Sequence, residues 1–240
     1  MREFDAFAGY PEPKEPRVVS PTLRTILNRI AASYRDKEFY DGDRANGYGG
    51  MVNDGRWGPI CDGIIRAYGL KFGDRILQVN AHKGFLLQEF AMRGYPSFGQ
   101  DSSHYAAAHS RIPLRISPFT ELPFKDKMAD FVIATSAVYA GSLQDAIRCL
   151  KEIQRVGTGR SWITLAAYED ENDVEGLMLL RYWFLTGTLI LTKADWIEVM
   201  AHAGYTGDYR FDTAKSLNLV AEDGAQYKRI VQKTTWRSVE

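Results

Sequence analysis

The stretch Gly73–Asp101, GDRILQVNAHKGFLLQEFAMRGYPSFGQD, decides how this chain of 240 residues is read. Apolar residues at 76, 77 and 79 mark a short strand over Arg75–Val79, and Asn80–Gly84 has turn-forming composition. Phe85, Leu86, Leu87, Phe90 and Met92 then follow at helical spacing until Gly94, a suitable residue to end a helix. A second strand, Ser97–Gln100, runs into Asp101. The unit is half of a parallel crossover with a carboxylate at the carboxyl end of its second strand, where open α/β sheets bind ligands. An acid about 20 residues beyond the first loop is where such folds hold a ribose by its hydroxyls, so a nucleoside is the first ligand expected.

Upstream, Met1–Ser20 carries Pro11, Pro13 and Pro16 among charges and reads as an extended tail. A helix is expected from Ser20-Pro21, with Leu23, Ile26, Leu27, Ile30 and Ala31 on one face, packed on the sheet or on a partner chain. Tyr40–Trp57 interleaves five glycines with Asp41, Asp43, Arg44, Tyr48, Asp54, Arg56 and Trp57, which suits either a plain surface loop or one that closes on a ligand. Gly58–Leu70 returns to helix. Downstream come a short helix over Ser103–Ser110, strands at Leu114–Ile116 and Asp130–Thr135, and a helix carrying Leu143, Ile147, Leu150, Ile153 and Val156. A strand follows at Ser161–Ala167, then a buried helix within Gly176–Leu191 and a last helix over Asp195–Ala203. Tyr205–Phe211 and Tyr227–Gln232 read as an antiparallel hairpin, with Asp212–Gln226 as the connection between them. The expected fold is α/β: a doubly wound, mainly parallel Rossmann-like sheet with an antiparallel last strand. Residues 1–57 form a tail, helix and glycine-rich cap, and residues 58–240 the α/β domain.

Thirty basic and thirty acidic residues give zero net charge, so no global field recruits nucleic acid or an anionic membrane, and neither partner is expected. Cys61 and Cys149 match no metal-ligand spacing and read as buried thiols, and no metal is expected. The N-terminus lacks the basic start and apolar run of a secretory signal. The most apolar window, Gly176–Leu191, is broken by Arg181 and is shorter than the ~20 residues of a membrane span, so a cytoplasmic protein is expected.

Five segments, FYDGDRANGYGG at 39–50, DGRW at 54–57, GDRILQVNAHKGFLL at 73–87, ELPFKDKMADFVI at 121–133 and AGYTGDY at 203–209, together resemble the class I S-adenosylmethionine-dependent methyltransferases. The resemblance runs from about Tyr40 to about Tyr209 and is nearest to a bacterial subgroup acting on small molecules or sugars. It implies S-adenosylmethionine as cofactor, a small polar or sugar-type acceptor, and cofactor contacts at Gln78, Asn80, His82, Gly84, Asp101 and Thr120. It also implies acceptor contacts from the cap at Tyr48, Asp54, Arg56 and Trp57. The family's D-x-G-x-A/G-x-G loop stands here as Gln78, Asn80, His82 and Gly84, so only the last glycine is kept. Gln78 removes a charge beside the cofactor's ammonium group, Asn80 tolerates glycine-like backbone, and His82 projects an imidazole where the family leaves room. Ala166 and Phe184 also replace polar residues of the subgroup.

Two functions follow. One is methyl transfer, in which a general base is needed only if the nucleophile must lose a proton; His104, His109 and Asp54 are the candidates, although a histidine on a short alanine-rich helix reads first as a surface residue. The other is a noncatalytic methyltransferase-like subunit that stabilises or regulates an active partner. A homo-oligomer built on the helix near residues 21–32, or a methyltransferase partner chain, are the macromolecular partners the two readings admit.

Overall fold

In the computed structural model, which describes residues 1–11 and 15–222, the sheet forms where apolar runs leave no strand face for water. The elements in chain order are β1 (Arg17–Val19), α1 (Ile26–Ser33), α2 (Lys37–Asp41), α3 (Trp57–Tyr68), β2 (Ile76–Val79), α4 (Phe85–Met92), β3 (Ser97–Asp101), α5 (His104–Ala108) and β4 (Leu114–Ile116). They continue with β5 (Phe131–Ala134), α6 (Leu143–Val156), β6 (Ser161–Tyr168), α7 (Val174–Trp183), β7 (Leu191–Thr192), α8 (Lys193–Ala203), β8 (Asp208–Asp212) and β9 (Leu219–Ala221). The main sheet runs β4-β3-β2-β5-β6-β7, with β8 also paired to β6. Strands β2 and β5 are buried along their whole length at its centre.

Side chains alternate across the sheet as strand geometry requires. Leu77, Val79, Val132 and Ala134 meet Leu150, Ile153, Trp196 and Met200 of α6 and α8 on one face. Ile76, Phe131, Ile133 and Trp162 meet Ile60, Ile64, Leu86 and Phe90 of α3 and α4 on the other. Helix ends follow local chemistry: Ser142 and Asp145 form a capping box on α6, and Gly69 and Gly204 close α3 and α8 in left-handed conformation. The strand order reverses about β2, whose neighbours are β3 and β5, so the loops leaving β2, β3 and β5 converge on one edge.

Three expectations change. The N-terminal residues are packed rather than trailing: the Phe4 N–H donates to the Tyr209 carbonyl and the Tyr209 N–H to that of Arg2, Trp162 donates its indole N–H to the Phe4 carbonyl at 2.7 Å, and Ala6 and Phe7 are buried. The proline-bearing part begins only at residue 11, and the residues before it are apolar enough to cover the sheet beside β8. Helix α1 starts at Ile26 and not at Ser20-Pro21, because Thr25 and Asn28 form the capping box while the Ser20 hydroxyl turns back to Thr22. Strand β8 lies parallel to β6, β9 arises within the stretch read as a connection and pairs with β1, and the second strand of the expected hairpin, Tyr227–Gln232, lies outside the described residues. Among the described residues no helix is long and apolar enough to cross a membrane.

Candidate functional site

Between β2 and α4 the chain must reverse within a few residues. Asn80 and His82 take left-handed backbone, with φ of 59° and 53°. Asn tolerates this conformation and His less so, which means that the glycine-type backbone path persists although the glycines do not. Asn80 is fixed from three sides: its N–H donates to Gln100 Oε1 at 3.2 Å, its amide donates to the Thr135 carbonyl at 2.8 Å, and its Oδ1 accepts from Arg35 at 2.6 Å. Gly84, at φ 71°, holds a left-handed conformation that a side chain would strain, and a Cβ there would stand 2.6 Å from Ser110 Oγ and displace that hydroxyl.

Asp101 ends β3 directly opposite this loop and is fully buried. Its carboxylate accepts from the backbone N–H of His82 at 2.7 Å and of Ser103 at 2.9 Å. A third donor is the guanidinium of Arg35, at 3.3 Å. Arg35 lies in the break between α1 and α2 with φ 49°, and one of its nitrogens is shared among Asp101, Asn80 and the Tyr40 hydroxyl, the last at 3.2 Å. Its Nε is buried without a partner among the described residues. Burial disfavours the cation, but attraction to Asp101 and Tyr40 outweighs it and holds the Arg35 pKa above its ordinary value.

The His82 imidazole is enclosed by the cap. Nδ1 faces the Tyr40 hydroxyl at 3.4 Å and Nε2 the Tyr48 hydroxyl at 3.3 Å. Burial lowers its pKa to about 4, leaving the ring neutral at pH 7, and burial likewise pushes the Tyr40 phenol up to about 12. The next residue pins the cap to the loop: Lys83 Nζ bonds both oxygens of Asp41 at 2.6 and 2.7 Å and the Met51 carbonyl at 3.0 Å, and Tyr105 donates to the same carboxylate at 2.7 Å. Gln78 is different. Its amide nitrogen reaches Thr135 Oγ1 only at 3.5 Å, and its Oε1 is buried with no partner among the described residues.

Thr120 sits in the turn after β4, three residues beyond Ser117, whose N–H donates to the Asp101 carbonyl at 3.3 Å. Of the four cap residues, Tyr48 reaches the loop. Asp54 pairs with Arg56, which holds the carboxyl near 2; Arg56 also donates to the Tyr10 hydroxyl at 2.8 Å, and Trp57 packs edge-on against Phe7 and Tyr10. These three therefore engage the N-terminal segment. His104 is exposed, as is His109, whose ring stacks on Tyr105 at 4.0 Å. Sequence reasoning missed Arg35, Tyr40 and the Asp41–Lys83 pair. Tyr40 and Asp41 lie in the glycine-rich segment and could have been found there, whereas nothing around Arg35 in SYRDKE distinguishes it from a polar linker.

A second buried acid lies farther along the same edge. Asp212, the last residue of β8, accepts from Arg210 at 2.7 Å and from Tyr139 at 3.4 Å. Arg210 continues to Asp5 at 2.9 Å and lies over the Phe7 and Trp162 rings. Burial raises the Asp212 pKa in spite of Arg210. Among the described residues no cluster of three His, Cys, Asp or Glu could hold a metal, and both cysteines are buried as free thiols.

No protein-family model and no curated protein matches the chain. Solved structures share its fold. The YcgJ protein from Bacillus subtilis is 16% identical over 60% of this chain and 66% of its own, with a TM-score of 0.50. A protein from Bacillus halodurans C-125, provisionally named a methyltransferase, is 15% identical over 60% of this chain and 68% of its own, with a TM-score of 0.51. A chain in the complex of the Haloferax volcanii Trm112 methyltransferase activator with a methyltransferase is 20% identical over 56% of this chain and 62% of its own, with a TM-score of 0.45. This chain thus spans under two thirds of the first and the last. The mainly parallel sheet with helices on both faces is the Rossmann-like methyltransferase fold.

Proposed function

We propose that the protein transfers a methyl group from S-adenosylmethionine to a small polar, sugar-type acceptor, with the cofactor held by the β2 loop, Asp101 and Thr120. The observation that carries this reading is Gln78 Oε1. A buried carbonyl oxygen without a donor is unfavourable by about 1–3 kcal/mol, and the cofactor's ammonium group is a donor suited to that position. The backbone path through Asn80 and His82 supports the same reading, as does a neutral His82, which sets no second positive charge beside a cationic ligand.

Bound cofactor supplies a methyl already activated on a sulfonium, so the chain's own part is binding and alignment. Gln78 accepts from the ammonium group, and Thr120 offers its hydroxyl to the adenine edge. Asp101 accepts from the ribose hydroxyls once Arg35 has withdrawn, because its oxygens already serve three donors and a guanidinium beside a sulfonium is repulsive. Tyr48 and His82 face the acceptor side. Asp54, Arg56 and Trp57 act from the cap by shaping the N-terminal wall, and residues 1–57 work as one cap over a cytosolic enzyme. A sugar hydroxyl must lose its proton as the methyl arrives, but His104 and His109 are exposed and Asp54 is paired with Arg56, so none of the three is assigned as the base.

One observation favours the noncatalytic alternative: Arg35 stands on the acid that would take the ribose, so the chain fills part of its own cleft. Calorimetric titration of S-adenosylmethionine into the wild type and Gln78→Leu separates the readings. Measurable binding that weakens about tenfold in Gln78→Leu, as loss of a hydrogen bond to a charged group implies, supports the enzyme. Absence of binding to the wild type supports a subunit that works through a partner.

A further inference from the structure

Helix α1 is amphipathic with its apolar side outward. Leu23, in the turn ahead of the helix, is followed by Ile26, Leu27, Ile30 and Tyr34, of which Ile26 and Leu27 sit four and three residues before Ile30 and Tyr34 four after it, on one side of the helix. They are 45%, 69%, 73%, 48% and 72% exposed. The inward side is polar. Arg29 donates to the carbonyls of Arg181 and Phe184, both at 2.5 Å, Arg24 donates to that of Trp183, and Asn28 donates to Asn46 at 2.7 Å. These carbonyls lie at the C-terminus of α7, where intrahelical partners run out and cations are favoured. Rolling α1 to hide the stripe would strip those carbonyls of their donors, so the outward orientation is fixed by chemistry on the opposite side.

We infer that this stripe is the dimerisation surface of the protein, covered by α1 of a second copy across a two-fold axis. The five side chains expose on the order of 500–600 Å² of apolar surface, the upper end of what a monomer ordinarily leaves uncovered and the larger part of the roughly 800 Å² per partner of a standard interface. The stripe carries no ionised side chain, so two identical copies meet without like-charge repulsion, which a self-complementary two-fold contact requires. The same feature argues against a membrane surface. A helix lying on anionic lipid turns lysine and arginine toward the headgroups, whereas Arg24 and Arg29 point into α7.

Sedimentation velocity on the full chain tests this, read together with Leu27→Glu/Ile30→Glu. Both substituted residues are well exposed, so the double variant should keep the wild-type circular dichroism spectrum and a cooperative melt. The expected result is a concentration-dependent dimer for the wild type at tens of micromolar and a monomer for the double variant. As a second readout, Leu27→Cys should form an intermolecular disulfide on mild oxidation, because Cys61 and Cys149 are buried and do not compete. A wild type that stays monomeric, including one that instead sediments with vesicles of phosphatidylcholine and phosphatidylserine, overturns the inference, as does a double variant that remains dimeric.

Discussion

Asp101 and Asp212 are both buried at the carboxyl edge of the sheet and both face an arginine, yet the two pairs are built differently. Asp212 takes its cation from two residues away on the same strand, at 2.7 Å, and that arginine is locked between aromatic rings and Asp5. Asp101 takes its cation from the break between α1 and α2, 66 residues away in sequence, at 3.3 Å and shared with two other acceptors. The first pair belongs to the core. The second joins the break between α1 and α2 to an acid whose other two donors are backbone N–H groups, and under the proposed function it is this arginine that gives way to the ligand. A buried carboxylate is available to a ligand when its partner is removable.

Stability should separate the two acids most sharply. Asp212→Ala removes one of the two carboxylates that hold Arg210, Asp5 remaining at 2.9 Å, and leaves the Tyr139 hydroxyl with Ser136, a loss of roughly 1–3 kcal/mol, seen as a lower denaturation midpoint in urea. Asp101→Ala should lose more, roughly 3–5 kcal/mol, because Arg35 is more enclosed than Arg210, pairs with no other carboxylate among the described residues, and two N–H groups lose their acceptor as well. Equal losses would erase the distinction. A cleft acid seen in sequence looks separable from folding, but the burial of Asp101 makes it part of the structure as well. In the same variant, S-adenosylmethionine affinity should fall by roughly 1.5–3 kcal/mol per charge-assisted bond lost. An unchanged affinity would remove Asp101 from the site.

Protonation distinguishes the two regions by sign. His82 has a folded pKa near 4, below its ordinary 6.5, so the stability it contributes is complete above pH 6.5 and is lost as pH falls toward 4. Its loss should be roughly 1–2 kcal/mol, discounted because the ring keeps some contact with water. Asp212 has a raised pKa, so its contribution is present below the ordinary carboxyl value and declines as pH rises through the folded one. Melting curves across pH 4–7 should therefore flatten in His82→Asn, which keeps the left-handed backbone without the titrating ring. A parallel wild-type-like slope in that variant would contradict the enclosure of His82. Tyr48→Phe, which removes one partner of the imidazole, should have the smallest effect, about 0.5–1.5 kcal/mol.

Much of the fold was legible because its signals are local. Strand β2, helix α4 and strand β3 fall where the spacing of Ile76, Leu77, Val79, Leu86, Leu87 and Phe90 puts them, and the fully apolar β5 reads as a central strand at once. Asp101 and the Gly84 loop come to the same edge, as a parallel crossover dictates. What was not legible depends on contacts between distant residues. Nothing in Phe4 and Phe7 announces that Trp162 and Arg210 will receive them, and β9 exists because β1 offers it an edge. Arg35 is the clearest case. Its φ of 49° and its reach to Asp101 arise from how α1 and α2 are set on the sheet, which no periodicity encodes.

The removable partner is tested most directly by calorimetric titration of S-adenosylmethionine into the wild type and Arg35→Ala side by side. Taking the guanidinium off Asp101 frees the acid and removes a repulsive charge, so binding should tighten by about tenfold or more, the equivalent of roughly 1.5 kcal/mol. The wild type should bind measurably and more weakly. Equal affinity in the two proteins, or weaker binding by Arg35→Ala, would contradict the account and make Arg35 a fixed wall of the cleft.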